Sequence, residues 1–189
     1  MSEYRRAVQN GGLFFFTVVS HQRKAIFNNH HNIEVLRRSF RREMKRRPFT
    51  LEAIVVLPDH LHCLWQLPED DTDYSSRWRE IKKFTTKQLS VVRNHRNEGD
   101  VWQRRYWEHQ IRHEKDWRNH MDYIHFNPVI HGYVSAPRLW RYSSFFKWVR
   151  LGVYDVTGGM WSLRVSVGLI LSRDVWVWWM RPSAYPPYN

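Results

Sequence analysis

The spacing of apolar residues predicts that strands and helices alternate along most of the chain. Residues 13–20 are rich in aromatic and β-branched side chains, which is typical of a strand. Ile33, Leu36 and Phe40 recur at helical spacing, with basic residues on the other faces of the predicted helix. The predicted elements, in order, are a strand at 13–20, a helix at 31–47, strands at 50–57 and 60–67, a helix at 75–92, a strand at 106–112 and a helix at 114–127 closed by Pro128 and followed by Gly132.

This order of elements predicts an α+β protein. Its ferredoxin-like antiparallel sheet carries helices on one face, and a further helix follows near the C-terminal end. Residues 1–155 are interpreted as one domain. The tail at 156–189 shows no clear periodicity, and three prolines in 181–189 indicate that it is partly loose.

Charge adds a partner class to this picture. The formal net charge is +12, and the first 50 residues contain eleven basic residues against three acidic ones. Such a large and unevenly distributed positive charge favours nucleic acid as a partner. Charge alone does not exclude a basic protein that has no such partner. The single cysteine, Cys63, excludes an intramolecular disulfide framework. No apolar run is long enough for an export signal or a membrane span, so a cytoplasmic protein without a membrane partner is expected.

Two histidines in the third predicted strand are candidate metal ligands. Alternate residues of a strand point to one face, so His60 and His62 project together while Leu61, Cys63 and Trp65 face the other way. Neutral imidazoles held close together are a natural pair of ligands for a divalent ion. Two adjacent histidines without a metal would explain the same pattern.

The helix at 114–127 carries a second group of polar side chains. An apolar stripe is predicted to pack on the sheet, and it consists of Trp117, Met121 and Ile124. A polar stripe lies about a quarter turn away, and its members are Asp116, His120, Tyr123 and Asn127. A mixed polar surface explains this stripe as well. If it faced the two histidines, the two groups together would form a complete site.

These motifs resemble those of a known enzyme family. His60-Leu61-His62 is similar to the His-hydrophobic-His motif of the HUH endonucleases. The segment from Asp122-Tyr123-Ile124 through Asn127-Pro128-Val129 to His131-Gly132 resembles the tyrosine helix of single-tyrosine transposases. More narrowly, the resemblance is to the REP-associated tyrosine transposases of bacteria. It runs from about residue 3 to 155 and includes Val55-Val56-Leu57-Pro58-Asp59 and Trp107-Glu108-His109.

The resemblance implies metal-dependent cleavage of single-stranded DNA. Tyr123 would attack a backbone phosphate and form a 5′-phosphotyrosine link. His60, His62 and Asn127 would bind a divalent ion, Mg²⁺ or Mn²⁺, with Zn²⁺ acceptable to the same ligand types. No nucleotide cofactor is implied, because the covalent link stores the energy for rejoining. The implied substrate is a hairpin of repetitive extragenic palindromic (REP) sequence with a flanking tetranucleotide.

DNA contacts are expected from basic residues and from an exposed aromatic residue on which a base can stack. The candidate residues are Tyr4, Arg5, Arg6, Arg77, Lys82, Lys83 and Arg105. One position departs from the family pattern: a lysine that is frequent between the Asn-Pro-Val and His-Gly elements is replaced here by Ile130. A phosphate contact is therefore expected to be missing there.

Two other functions fit parts of the pattern. A ferredoxin-like sheet rich in aromatic residues also describes non-catalytic RNA-recognition modules, although that alternative gives no role to Tyr123. A zinc hydrolase could use His60 and His62 with an acid from Asp59 or Glu108. The sequence leaves the oligomeric state open.

Overall fold

The computed structural model describes residues 11–89 and 101–157. The predicted contacts Tyr4, Arg5 and Arg6 and almost all of the predicted tail lie outside these residues, so the division at residue 155 stays a prediction. The elements are β1 (Gly12–Val19), α1 (His30–Arg46), β2 (Thr50–Val56), β3 (His60–Leu67), α2 (Tyr74–Gln88), β4 (Trp107–Gln110), α3 (Glu114–Ile130) and α4 (Phe145–Arg150).

The four strands form one antiparallel sheet in the order β2-β3-β1-β4. This is the strand order of the ferredoxin-like fold, and it confirms the predicted architecture. In the register of β1 against β3, Thr17 lies opposite His62 and Val19 lies opposite His60. The central position of β1 therefore places its side chains between the two histidines and the short edge strand β4.

One face of the sheet packs against α1 and α2. Alternate residues of β1 and β3 point to this side, and the core built on them includes Phe14, Phe16, Leu61, Cys63 and Trp65. The helices contribute apolar side chains at helical spacing, namely Ile33, Leu36, Phe40, Met44, Trp78 and Ile81. Nearly all of these side chains are fully buried.

The opposite face packs against α3 and α4. Phe15 of β1 and Leu64 of β3 contribute to this second core. The predicted stripe of α3 packs here, as do side chains that follow it in sequence; the members are Trp117, Met121, Ile124, Phe145 and Trp148. The fold therefore places two helices on one face of the sheet and the tyrosine-bearing helix on the other.

The predicted end of the last helix was wrong. Helix α3 continues through Pro128 to Ile130, instead of closing at the proline. Pro128 has no N–H to donate to the carbonyl of the residue four positions earlier, so one hydrogen bond of the helix is lost. Helical hydrogen bonding continues beyond the proline, where His131 donates its N–H to the carbonyl of Asn127. Gly132, with φ of +70°, then takes the left-handed conformation that ends the segment, as predicted.

Across the described residues, no helix combines the length and the apolar character needed to cross a bilayer.

Candidate active site

His60 and His62 lie side by side on the face of β3 that is covered by α3. Their ring centroids are 4.9 Å apart, and the exposed fractions of the two residues are 4% and 3%. The ring of His131, just after α3, lies 5.3 Å from that of His60. Because side chains alternate between the two faces of a strand, both imidazoles lie in the same buried region, next to the C-terminal half of α3.

Each imidazole is held by a partner at its Nδ1 atom. The Nδ1–H of His60 donates to Oδ1 of Asp59 at 2.6 Å. Nδ1 of His62 lies 2.8 Å from Oγ1 of Thr17, and the tautomer that donates from Nδ1 leaves Nε2 with its lone pair. A partner at one ring nitrogen is the usual way in which proteins orient a histidine that binds metal through the other. Thr17 was not predicted, because only the pairing of β1 with β3 brings it to His62.

The surroundings keep both rings neutral. Burial, assisted by neighbouring His60 and His131, lowers the pKa of His62 to about 3. Burial also lowers the pKa of His60, although the hydrogen bond to Asp59 opposes this. Desolvation works against ionisation of Asp59, yet its hydrogen bonds to His60 and Arg23 hold the pKa of that carboxyl below its ordinary value. At neutral pH the site therefore offers uncharged imidazoles, the form that binds metal.

Tyr123 lies directly against this pair. Its ring centroid is 4.9 Å from that of His62, and its side chain packs edge-on against Phe15. The residue is 44% exposed, so solvent reaches it while the histidines stay buried. The structure thus brings together the phenol of α3 and the imidazoles of β3, the juxtaposition that a shared site requires.

Asn127 lies one helical turn beyond Tyr123 and is fully buried. Among the described residues, neither Nδ2 nor Oδ1 of its amide has a hydrogen-bond partner, and the same holds for Nε2 of His62. Buried polar atoms without partners are rare, because each costs free energy unless something satisfies it. A divalent cation ligated by imidazole nitrogens and an amide oxygen would satisfy Nε2 of His62 and Oδ1 of Asn127, so the donor set fits such an ion.

A second group of polar side chains lies on the far side of Tyr123. His109 Nε2 donates to Oδ2 of Asp116 at 2.9 Å, and His120 Nδ1 donates to the backbone carbonyl of Asp116 at 2.8 Å. The ligand atoms of these three residues lie within 4.8 Å of one another, close enough to be considered for a metal. The two rings are nearly parallel, however, with planes 14° apart, so their in-plane lone pairs do not converge on one point. His109, Asp116 and His120 therefore form a hydrogen-bonded cluster that holds its own side chains in place.

The predicted DNA contacts in the described residues separate into two kinds. Lys83 and Arg105 are exposed. Lys82 is half-buried, its ammonium donates to the carbonyl of Gln103, and burial lowers its pKa to about 8. Arg77 differs from all of these. Its side chain is buried, bound to Asp71 and to backbone carbonyls of the α1–β2 turn, and therefore has a structural role.

The second acid considered for a hydrolase is remote from the histidines. Glu108 lies opposite Phe16 in the β1–β4 register, so its side chain points to the sheet face that carries α1 and α2. There it accepts a hydrogen bond from the hydroxyl of Tyr74. Glu108 therefore cannot act together with His60 and His62. Asp59 is near them, but its carboxylate is engaged by His60 and Arg23.

Comparisons with known proteins agree with this geometry. Residues 13–127 match the family described as Transposase IS200 like. A REP-associated tyrosine transposase of Escherichia coli is 44% identical over 82% of this chain and 90% of its own length. A Haemophilus influenzae protein assigned to the same group is 42% identical over 84% of this chain and 94% of its own length. A solved structure of a REP-associated tyrosine transposase bound to a REP hairpin superimposes with a TM-score of 0.74, at 42% identity over 88% of this chain and 94% of that one.

Proposed function

Because this chain belongs to the REP-associated tyrosine transposases, within the family of IS200-like transposases, we propose that it cuts and rejoins single-stranded DNA through a covalent bond to Tyr123. One observation carries the proposal: a solvent-accessible phenol lies 4.9 Å, ring to ring, from a buried and neutral histidine of a His-x-His pair. This arrangement lets a phosphate reach the nucleophile and a metal site at once.

The reaction exchanges one phosphoester bond for another. The oxygen of Tyr123 forms a bond to a backbone phosphorus, the bond from that phosphorus to the 3′-oxygen breaks, and the departing 3′-oxygen takes up a proton in place of the one that the phenol loses. The products are a 5′-phosphotyrosine and a free 3′-hydroxyl. Rejoining is the reverse reaction, in which a 3′-hydroxyl attacks the phosphotyrosine. Because the covalent link keeps the energy of the phosphodiester bond, no nucleotide cofactor is needed.

The metal would be held by His60, His62 and Asn127. A divalent ion, Mg²⁺ or Mn²⁺, would supply Lewis-acid polarisation of the phosphate and stabilise charge on the departing 3′-oxygen. Asp59 fixes the ring of His60, and Thr17 fixes that of His62, so that each Nε2 keeps its direction. Two nitrogen ligands make Mn²⁺ at least as suitable as Mg²⁺, which prefers oxygen.

The proposed substrate is a REP-type hairpin with a short single-stranded flank that includes a guide tetranucleotide. The solved relative is bound to a REP hairpin, and this chain shares its fold over 88% of the sequence. Lys82, Lys83 and Arg105 are the proposed phosphate contacts among the described residues, and Tyr4, Arg5 and Arg6 are proposed from the sequence. Arg77 is not included, because its guanidinium is buried against Asp71.

The decisive test is a covalent adduct. We expect the protein, incubated with a hairpin oligonucleotide and Mn²⁺, to give a protein–DNA band that survives a denaturing gel. Tyr123→Phe should abolish that band and all cleavage. Tyr133→Phe is the matched control, because Tyr133 is equally exposed (45%) and the change also removes only a hydroxyl. Cleavage without an adduct, retained by Tyr123→Phe, would indicate a hydrolase instead, and binding without cleavage would indicate a non-catalytic nucleic-acid binder.

A further inference from the structure

An aromatic-walled cleft opens beside Tyr123, on the side away from His60. Its volume is about 480 Å³, and its lining residues are Phe15, Thr17, Trp107, Asn119, His120 and Tyr123. Trp107, on the edge strand β4, is 49% exposed although tryptophan is among the most apolar side chains. A large exposed aromatic residue at a cleft wall commonly marks a binding surface.

The wall of the cleft is held in place from behind. The indole of Trp107 stacks on His109, with centroids 5.8 Å apart and planes 4° apart. His109 stacks in turn on His120 at 4.9 Å, and Asp116 accepts a hydrogen bond from His109. This stack gives a role to His109, Asp116 and His120, whose geometry does not suit a metal. The three residues hold the indole of Trp107 so that one of its faces is turned toward the cleft.

We propose that this cleft binds one of the two nucleobases that flank the scissile phosphate, stacked on Trp107. The inference rests on the proposed function, because Tyr123 is both the nucleophile and part of the cleft lining. A phosphate in contact with Tyr123 has its neighbouring bases within one nucleotide of the cleft. An aromatic face accepts any base, and stacking on such a residue contributes strongly to single-strand binding.

The surroundings suit a polyanionic strand. Within the part of the chain that the structure describes, no acidic side chain lines the cleft. Exposed Arg105 and Arg112 flank β4 at its two ends, where they can contact the backbone on either side of the base. Asn119 supplies a side-chain amide at the rim, a group that can both donate to and accept from a base edge. Stacking therefore fixes the base, and Asn119 supplies a preference among bases.

The test uses Tyr123→Phe protein, which binds but does not cleave, and hairpin oligonucleotides that carry one abasic site at successive positions around the cleavage point. Loss of the base at one flanking position should raise Kd roughly tenfold or more. Adding Trp107→Ala should raise Kd for the intact oligonucleotide by a similar factor and remove the sensitivity to that abasic site. Trp107→Phe should retain most of the affinity. Leu151→Ala, at another exposed apolar residue, is the matched control and should behave as the parent.

Two outcomes separate this inference from the proposed function. If the wild-type protein forms the adduct but Trp107→Ala and the abasic site weaken binding independently, the cleft assignment is overturned and the function stands. If the wild-type protein forms no adduct, the proposed function fails, and the assignment of the cleft to a scissile nucleotide fails with it. Asn119→Ala is expected to reduce the difference in Kd among the four bases at that position, and an unchanged preference would overturn its role.

Discussion

The two faces of the sheet are built from the same strands but differ in what they bury. Toward α1 and α2, β3 contributes Leu61, Cys63 and Trp65, all fully buried among apolar neighbours. Toward α3, the same strand contributes His60 and His62. Among the described residues, Nε2 of His62 and the amide of Asn127 have no hydrogen-bond partner. The indole nitrogens of Trp65 and Trp78 share this property, but they belong to an apolar core instead of lying beside the exposed Tyr123. The first face supplies hydrophobic burial. The second combines a smaller apolar core with groups whose hydrogen-bonding capacity is left for a ligand.

This difference predicts that stability and activity can be separated by face. Removing apolar volume from the α1–α2 face costs folding free energy, because cavities in a close-packed core are only partly refilled. Removing a polar ligand from the α3 face costs function and little stability, because an unpaired buried polar group already opposes folding. The predictions below test this separation.

The largest effect is expected for His62→Leu. Cleavage of a hairpin oligonucleotide with Mn²⁺ should fall by about 10³-fold, equivalent to about 4 kcal/mol, because metal stabilisation of the leaving oxygen is lost. The free energy of unfolding in urea, measured without metal, should change little, because the change removes the unpartnered Nε2 of His62 but also breaks the hydrogen bond between its Nδ1 and Thr17. A variant that cleaves at the wild-type rate would show that His62 is not a ligand.

The mirror-image change is Trp65→Ala on the other face. Trp65 is fully buried and stacks at 4.4 Å on Trp78 and at 4.2 Å on Phe49. The variant should lose about 3–5 kcal/mol of unfolding free energy, as is usual for truncation of a buried aromatic residue. At low temperature, where the protein is still folded, single-turnover cleavage per folded molecule should stay within a few-fold of wild type. Loss of cleavage in the folded variant would contradict the hypothesis that stability depends on one face of the sheet and activity on the other.

Acid should weaken the α3 face through His125. This residue is fully buried, with hydrogen bonds to Ser144 and Tyr154, and burial lowers its pKa to about 3. The unfolded chain takes up this proton near pH 6.5, well before the folded chain does, so stability is lost as the pH falls below 6.5. Between pH 7.5 and 5 the contribution of this one group is about 2 kcal/mol. Urea unfolding at both pH values should show a smaller difference for His125→Gln, whereas the exposed His30→Gln should keep the wild-type difference.

The smallest effect is expected at Ile130, which is 65% exposed at the end of α3. Ile130→Lys would supply the lysine that the family pattern frequently has there. Affinity for a hairpin oligonucleotide at low salt should rise a few-fold, and the slope of log K against log salt should steepen by about one, because one more phosphate is neutralised. Ile130→Gln, which is polar but uncharged, is the control. An unchanged salt slope would mean that no phosphate approaches this position.

Much of the fold could be predicted because its signals are local. Apolar periodicity placed all four strands and the three long helices, and the ferredoxin-like strand order followed from their succession. The two-residue period of β3 likewise separated His60 and His62 from Leu61 and Cys63. Pro128 misled the prediction of where α3 ends, because the cost of a proline depends on whether neighbouring contacts hold the helix together.

The sequence by itself determined which chemical groups the protein contains and on which face of each strand or helix they lie. Both depend only on residue type and on the regular repeat of side chains along a strand or helix. Tertiary structure decided which groups meet: Thr17 with His62 across two strands, Tyr123 with His62 across the sheet–helix interface, and Trp107 with Tyr123 around the cleft. It also decided that Arg77 is buried against Asp71 while Lys83 stays exposed, although both are basic residues of one helix. Such pairings depend on strand register and helix docking, which arise from the summed packing of many distant residues and leave no mark on any short stretch of sequence.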